Sequence, residues 1–431
     1  MMFRRLIAFL AALLLVSGMT AQVAQAKPKP QRPVIFVHGF SGSGSQFDTQ
    51  ARRFAGNGYP IDHIEAHEYD SLFQHNTEAQ VFAGLDQRID RLLKKTRADK
   101  VDLLGHSLGT RLMQTYLNSS PERAAKIAHY VNLDGAPAAA PPGGVPTLAV
   151  WGEGSTARQI VGAENVYFSD QGHTQTVTSV ETFAAAYEFF TGKAPRTTRI
   201  VPQVRIELSG RAVLFPSNLG AEGARLEIYE VSPWTGARKS RKPVAVRQIS
   251  GDGSWGPVKA WGHAHYEFAV VWNDQAVHHL YFQPFRRSDA LVRLLTSRPG
   301  EGLSGLVETG PGHSSLTINR QKEWWGDQGT AGDSLKINGQ EILNAASSPR
   351  TKRTIGIFAF DAGVDRTTDL ATPIPAFFSQ PFISGVDLYI PANGRPISLV
   401  ATPRGGGHKD VLNVPSWPSA TDRISVSFDD D

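Results

Sequence analysis

The chain has 431 residues, with 44 basic and 40 acidic side chains, a formal net charge of +4 and no cysteine. This length predicts two or three domains, each large enough for its own core. The absence of cysteine excludes disulfides and thiolate metal sites, and the scattered basic residues give no sign of a nucleic-acid partner.

Residues 1–26 have the organisation of a cleavable secretory signal. Arg4 and Arg5 precede an apolar run over residues 6–16, and the small residues Ala24 and Ala26 suit signal peptidase. The run is too short to span a bilayer, so no transmembrane segment is expected after cleavage. Cleavage removes two arginines and no acid, which lowers the net charge from +4 to +2. A soluble, secreted protein is expected, either extracellular or periplasmic.

The first strand of the mature chain is predicted over residues 33–37. It runs into His38-Gly39-Phe40 and a Gly/Ser stretch over residues 41–45. A loop of this kind at the end of a strand can donate a backbone N–H to a substrate oxyanion, and a plain glycine turn is the alternative. Next, residues 46–54 are predicted to be helical and residues 61–69 to form a strand.

An amphipathic helix is predicted over residues 77–97. Its apolar residues lie on one face, and Thr77 with Gln80 forms a capping box at its start. Such a helix packs against a sheet.

A predicted strand over residues 100–104 passes through the Gly-x-Ser-x-Gly motif of residues 105–109 into a segment with helical spacing over residues 108–117. This is the context of a nucleophile elbow, in which the serine adopts a strained conformation and small neighbours let strand and helix approach. The context favours Ser107 as a nucleophile over an ordinary glycine turn.

Three more strands are predicted over residues 127–133, 147–151 and 165–168, and a helix over residues 180–190 closes the unit. Alternating strands and helices predict an α/β fold with a doubly wound, mostly parallel sheet covered on both faces.

A serine hydroxyl needs a base within hydrogen-bond reach and an acid that orients the base. His173 is the best candidate base, because it follows the last strand of the unit and the chain order in α/β-hydrolases is serine, acid, histidine. His38 and His106 flank the same elements but are interpreted as residues that brace loops.

Two residues compete as the acid. Glu153 follows the strand that most α/β-hydrolases use, and Asp134 follows the strand before it, as in some lipases. Spacing alone leaves both open. The sequence has no His-Glu-x-x-His motif and no paired-histidine ligand spacing, so no metal ion or other cofactor is expected.

After about residue 198 helical periodicity gives way to short alternating runs. They occupy residues 204–208, 224–231, 265–272, 315–318, 354–360, 385–390, 397–401 and 423–428. Such runs, separated by Gly, Pro and Asn, predict an all-β C-terminal region of antiparallel sandwich or barrel type. The predicted organisation is a catalytic domain over residues 27–198, a sandwich-like domain over 199–286 and a second β-rich domain over 287–431.

Several segments together resemble archaeal long-chain lipases, which are α/β-hydrolases with a C-terminal β-domain. These segments are residues 56–60, 68–70, 98–109, 118–129, 133–135, 144–150, 200–203, 389–392 and 414–417. The resemblance implies hydrolysis of carboxylic esters by a defined set of residues. The set is Ser107 as nucleophile, Asp134 as acid, His173 as base and the backbone N–H groups of Phe40 and Leu108 as oxyanion hole, with Glu153 as the reserve acid.

One departure from that family concerns the lid. The lipases carry a long helical lid before the helix that precedes the elbow strand, whereas residues 70–100 here hold little beyond one helix. The resemblance therefore does not predict a preference for long acyl chains or interfacial activation in this protein. The family's β-region is described as binding lipid surfaces or lining the acyl site, and a purely stabilising role is the alternative.

The sequence thus predicts a secreted serine hydrolase of lipase or esterase type, acting on acyl esters or lipids through an acyl-enzyme. A polyester depolymerase with the same triad is the first alternative, because an open cleft suits a polymer. A surface-binding or lipid-binding protein with a vestigial hydrolase unit is the second, and the intact serine, histidine and oxyanion loop argue against it.

Overall fold

The computed structural model of the protein describes residues 31–430, so the predicted signal over residues 1–26 lies outside the described part. Within those residues, no helix combines the length and apolarity that crossing a bilayer requires. The chain folds into a parallel sheet with helices, followed by a region built almost wholly of strands.

The N-terminal sheet has six strands in the order β2-β1-β3-β4-β5-β6, all parallel. Their bounds are β1 (Val34–Val37), β2 (Ile64–His67), β3 (Val101–His106), β4 (Ile127–Leu133), β5 (Thr147–Trp151) and β6 (Glu164–Tyr167). Because all six strands are parallel, their carboxyl ends share one edge of the sheet, where ligands bind in open α/β sheets. The predicted α/β-hydrolase fold of this part of the chain is confirmed.

The helices of this unit are α1 (Asp48–Gly56), α2 (Glu78–Thr96), α3 (Leu108–Asn118), α4 (Pro121–Ala125), α5 (Gln175–Thr178) and α6 (Val180–Thr191). Helices α1 and α6 share a core with Val34 and Phe36 on one face of the sheet. Helices α2 and α3 share a core with Ile35 and Val37 on the other face. Strand β1 is buried on both faces, as its apolar run predicts. The capping box of Thr77 at the start of α2 is present.

Three sheets form the C-terminal region. An eight-stranded sheet has the order β10-β9-β12-β13-β22-β15-β18-β19, and two smaller sheets have the orders β11-β7-β14, with β8 beside β7, and β17-β16-β20-β21. The strands are β7 (Arg205–Leu214), β8 (Leu219–Gly220), β9 (Arg225–Val231), β10 (Ala245–Gln248), β11 (Ser254–Trp261), β12 (His265–Asn273), β13 (Ala276–Phe282), β14 (Asp289–Thr296), β15 (Leu316–Trp324), β16 (Ser334–Ile337), β17 (Gln340–Glu341), β18 (Thr354–Phe360), β19 (Ile383–Asp387), β20 (Pro396–Thr402), β21 (Asp410–Pro415) and β22 (Asp422–Ser427), with a short helix α7 (Pro375–Phe378).

The prediction of a strand-rich region is confirmed, but the expected antiparallel arrangement is incomplete. Strand β22 lies between β13 and β15 and is parallel to both, and β7 pairs in parallel with β14. Alternation along one strand is the same in parallel and antiparallel sheets, so the sequence does not reveal the direction of a distant partner. Strand β14 lies beyond the predicted boundary near residue 287 and pairs with β7 from the preceding segment. The domain boundaries themselves remain predictions.

A buried carboxylate joins the β-region to the hydrolase sheet. Glu68, just after β2, accepts hydrogen bonds from Arg293 at 2.7 Å and from Arg211 at 2.6 Å. It also accepts one from the backbone N–H of Gly44 at 2.8 Å, in the loop after β1. Burial alone raises the pKa of Glu68, but the charges of Arg293 and Arg211 outweigh it and hold the pKa well below its usual range. Two strands of the β-region are thereby fixed to the loop that follows Phe40.

Candidate active site

Ser107 occupies the junction of β3 and α3 in a strained conformation. Its backbone has φ 52° and ψ −119°, which L-residues seldom adopt and which the tight turn of a nucleophile elbow imposes. The backbone N–H of Ser107 donates to the carbonyl of Leu133 at 3.1 Å, which holds the turn against β4. Its side chain makes no capping hydrogen bond to α3. The hydroxyl is therefore not used to stabilise its own helix.

Glycines permit the close approaches around Ser107. A Cβ atom on Gly109 would lie 2.5 Å from the carbonyl oxygen of Val37, so any larger residue would push α3 away from β1. A Cβ on Gly39 would lie 2.9 Å from the Cβ of Ser107. The loop after β1 therefore lies directly against Ser107, and both contacts require glycine.

Phe40 and Leu108 are the residues after Gly39 and Ser107, which lie against each other. Leu108 is the first residue of α3, where N–H groups have no partner inside the helix. On either side of Phe40, the N–H of Gly39 donates to Gln46 and that of Ser41 donates to Ser71. Among the described residues no acceptor is recorded for the N–H of Phe40. The role that the resemblance assigned to these two N–H groups, an oxyanion hole, stays a prediction.

Asp134 follows β4 with a φ of 39° and directs its carboxylate at His173. Its Oδ2 lies 2.6 Å from Nδ1 of His173, and its Oδ1 accepts from the N–H of Gly152 at 2.9 Å and forms an ion pair with Nη1 of Arg158 at 2.9 Å. Burial raises the pKa of Asp134, but the hydrogen bond and charge of His173, with Gly152 and Arg158, lower it to about 2. The carboxylate is therefore ionised near neutral pH and holds a proton on Nδ1 of the imidazole, which leaves Nε2 to accept another.

The turn that carries Asp134 is packed against the elbow helix. Thr110, in the first turn of α3, accepts from the N–H of Ala136 at 2.8 Å and donates to the carbonyl of Ser107 at 2.7 Å. A Cβ on Gly135 would fall within 1.9 Å of the Thr110 hydroxyl. The candidate acid and the candidate nucleophile are held in fixed relation by these short contacts.

Glu153, the reserve acid, forms ion pairs with arginines and not with His173 in the described structure. Its carboxylate pairs with Arg350 at 2.8 Å and with Arg353 at 3.5 Å, both from the β-region. Of the two acids that spacing left open, only Asp134 has its carboxylate on His173 in the described structure.

His38 and His106 brace backbone, as interpreted from the sequence. His106 donates from Nε2 to the carbonyl of His173 at 3.0 Å, and burial lowers its pKa to about 3, so it is neutral. His38 donates from Nδ1 to the carbonyl of Gly39 at 2.8 Å and stacks on Tyr69 with ring centroids 4.3 Å apart. Burial also lowers the pKa of His38. Each histidine fixes one loop of the site.

The β-region contributes residues that the sequence did not reveal. Glu323, on β15 and fully buried, accepts from the backbone N–H groups of Thr174 and Gln175, directly after His173. Asn218, after β7, donates to the carbonyls of Gly42 at 2.8 Å and Tyr69 at 3.1 Å. Neither residue belongs to a local motif, so only the folded chain could disclose them.

A cavity of about 1160 Å³, part of it open to solvent, lies between the hydrolase sheet and the β-region. Its wall includes residues of the loop over residues 41–46 and Phe382, whose ring is nearly parallel to that of His173 with centroids 6.2 Å apart. Much of the wall is apolar, with Phe215, Leu303 and Phe358 among its residues. Through Phe382 and the loop after Phe40 the cavity adjoins the candidate site, and most of its wall belongs to the β-region.

Family comparisons agree with this architecture. Residues 40–161 match the lecithin:cholesterol acyltransferase family, residues 204–299 match the lipase C-terminal domain family, and residues 302–431 match a further family of C-terminal domains. These matches support an α/β-hydrolase of the lipase type with a C-terminal domain, and so an ester hydrolase. The narrower resemblance to archaeal lipases stays a prediction.

Two solved structures match part of this chain at low sequence identity. A gene product of Listeria innocua is 13% identical with a TM-score of 0.29, covering 39% of this chain and 97% of that one. Lipase B of Aspergillus fumigatus is 14% identical with a TM-score of 0.31, covering 39% of this chain and 54% of that one. Likeness at this level does not inform the assignment of residues.

Proposed function

We propose that the protein is a secreted serine ester hydrolase of lipase or esterase type, with Ser107 as nucleophile, His173 as base and Asp134 as acid. The observation that carries the proposal is the combination of Ser107 in a strained elbow with a carboxylate–imidazole pair of 2.6 Å on the neighbouring loops. A serine in that conformation and an oriented imidazole are what acyl transfer requires.

In the proposed reaction the hydroxyl oxygen of Ser107 attacks the ester carbonyl carbon while its proton passes to Nε2 of His173. Asp134 holds the opposite nitrogen and stabilises the imidazolium that forms. The N–H groups of Phe40 and Leu108 donate to the oxyanion of the tetrahedral intermediate. Collapse expels the alcohol, which takes the proton from His173, and a water molecule then releases the acyl group by the same steps.

The acyl part of the substrate is proposed to enter the cavity beside Phe382. An apolar chain placed there leaves water, which favours binding by about 0.8 kcal/mol per methylene group. This assigns the β-region a role in substrate binding in addition to its structural contacts. Contact with a lipid surface through the same region is also proposed, on the family resemblance.

A labelling experiment tests the catalytic assignment directly. A fluorophosphonate probe reacts covalently with an activated serine, so the purified protein should be labelled at Ser107 and should hydrolyse 4-nitrophenyl esters. Ser107→Ala should abolish labelling and lower hydrolysis by about three orders of magnitude or more. Ser119→Ala, a serine whose hydroxyl donates to the carbonyl of Tyr116, is the matched control. Labelling that persists in Ser107→Ala overturns the proposal.

A polyester depolymerase is the second candidate. The segment over residues 71–76 is too short to close the cleft, and an open cleft would admit a polymer chain. A chain-length profile of 4-nitrophenyl esters, compared with release of soluble products from polyester films, separates the two. Preference for chains that fill the cavity supports the lipase or esterase function, and fast release from films with slow turnover of those chains supports the depolymerase.

A further inference from the structure

The cavity contains a second polar feature, away from His173. Arg423, on β22, lines the wall and donates to the hydroxyls of Ser297 at 2.5 Å and Ser304 at 2.7 Å. It also donates to the carbonyl of Ser297 at 2.7 Å. These three residues form what we call the Arg423 recess, and Phe215, Leu303 and Val307 pack together beside it. A cationic group therefore lies in a largely apolar cavity.

Among the described residues no carboxylate forms an ion pair with Arg423. Arg320, which lines the same cavity, differs because it pairs with Asp333 at 3.1 Å and Asp430 at 3.7 Å. Burial lowers the pKa of Arg423 to about 10, with no acid to oppose the shift. A buried charge without a counter-ion is costly, so the recess is electrostatically incomplete.

The guanidinium also has unused donors. It carries five N–H groups, and the recorded hydrogen bonds from Nη1 and Nη2 use three of them. Nε–H and one Nη2–H have no recorded partner within the described residues. Two adjacent N–H groups in one plane match the two oxygens of a carboxylate.

The Arg423 recess and the loop that follows Phe40 line the same cavity, since Ser41, Gly42 and Gln46 belong to its wall together with Arg423. A ligand whose ester lies at the candidate oxyanion hole therefore reaches the recess only if its chain crosses this cavity.

We propose that the Arg423 recess binds the terminal carboxylate of an acyl chain whose other end is esterified, so that half-esters of dicarboxylic acids are substrates. The inference rests on the proposed function, since it places the scissile ester at Ser107. The hydrocarbon middle of the chain lies against the apolar wall, and the carboxylate supplies the missing counter-charge. A methyl-terminated chain of equal length fills the same space without pairing Arg423.

Hydrolysis of two matched substrates tests the proposal. The 4-nitrophenyl half-ester of sebacic acid ends in a carboxylate, and 4-nitrophenyl decanoate has the same ten-carbon acyl length with a methyl end. Arg423→Gln should lower the ratio of kcat/KM for the half-ester over the decanoate by about tenfold or more, as expected for a charge-assisted pair. Arg395→Gln, an exposed arginine outside the cavity wall, removes the same charge and should leave the ratio unchanged.

Each outcome has a separate meaning. If wild-type protein hydrolyses neither ester, the proposed function fails. If it hydrolyses both and Arg423→Gln leaves their ratio unchanged, the recess does not bind carboxylate and this inference is overturned. Should Arg423→Gln not fold, half-esters of six-, ten- and sixteen-carbon diacids are compared on the wild type. A chain-length optimum that the methyl-terminated series lacks supports the inference, and parallel profiles contradict it.

Discussion

Glu323, on strand β15 of the β-region, accepts a hydrogen bond from the backbone N–H of Thr174, the residue after the proposed base His173. A Cβ atom on Gly172 would lie within 2.5 Å of the same carboxylate, so glycine is needed on the other side of the histidine. The loop that carries the base is therefore positioned from outside the hydrolase sheet.

Glu323→Gln is expected to lower kcat by about tenfold while KM changes little. The amide keeps one oxygen acceptor but presents an N–H₂ group to a backbone donor, which shifts the histidine loop. The pH dependence of kcat is measured as well, since a substitution that affects stability alone should leave the shape of this profile unchanged. Glu341→Gln is the matched control, since Glu341 likewise accepts from two backbone N–H groups, those of Leu335 and Leu343. An unchanged pH–rate profile in Glu323→Gln would show that Glu323 contributes to stability and does not position His173.

Asp134→Asn should lower kcat by at least about a hundredfold, because the amide no longer favours the proton on Nδ1 of His173 and cannot stabilise the imidazolium. Glu153→Gln should change kcat less than about threefold, since its carboxylate pairs with two half-exposed arginines. Steady-state hydrolysis of 4-nitrophenyl acetate measures both. A larger loss in Glu153→Gln than in Asp134→Asn would show that the acid is misassigned.

The depressed pKa of Glu68 predicts that the folded protein loses stability as the pH falls. Its pKa is depressed in the folded protein from the usual 4.5, so its contribution to stability is present above that value and is lost as the pH falls toward the folded-state pKa. Glu68→Gln should lower the free energy of unfolding at neutral pH by about 3 kcal/mol, because Arg293 and Arg211 lose their partner. It should also flatten the decline of stability below pH 4.5.

Denaturant unfolding between pH 3 and pH 7 measures this. Glu65→Gln serves as the control, because Glu65 also pairs with two arginines, Arg88 and Arg91, but nearer the surface. Its effect should stay below about 1 kcal/mol. Equal effects of the two substitutions would mean that burial of Glu68 adds nothing to the ion pairs.

The hydrolase unit was predictable because its signals are local. Strand β4 was predicted with the bounds it has, and the Gly-x-Ser-x-Gly motif located Ser107, since a strand, a tight turn and an amphipathic helix are each encoded within a few residues. The spacing of Asp134 and Glu153 was uninformative because both follow strand ends at the same edge of the sheet.

In the β-region the sequence predicts that strands form but not how they pair. Strand β22 pairs with β13 and β15, more than a hundred residues earlier in the chain, and nothing local selects those partners. Glu323 lies 149 residues from Thr174, and its sequence neighbours resemble those of any half-buried strand. The residues that complete the site from the β-region therefore depend on long-range packing, which a single sequence does not specify.

We finally expect little interfacial activation, because residues 71–76, the lid candidate in the described part of the chain, form a turn that is fixed by hydrogen bonds. Activation requires a mobile cover that a lipid surface draws away from an apolar cleft. Residues 71–76 connect Asp70 to α2, and the buried carboxylate of Asp70 accepts from the backbone N–H groups of Leu72, Gln74 and His75. Those three hydrogen bonds fix the segment as a compact turn.

The rate with 4-nitrophenyl butyrate should therefore rise smoothly through the solubility limit of the ester, without a step at the concentration where droplets form. Asp70→Asn, which weakens the three hydrogen bonds to backbone N–H groups, should loosen the segment and is the variant in which a step could appear. Leu72, which is 38% exposed, could then cover the mouth of the cleft. A sharp increase at the limit in the wild type would show that a larger cover exists, and the β-region is where that cover would have to be found.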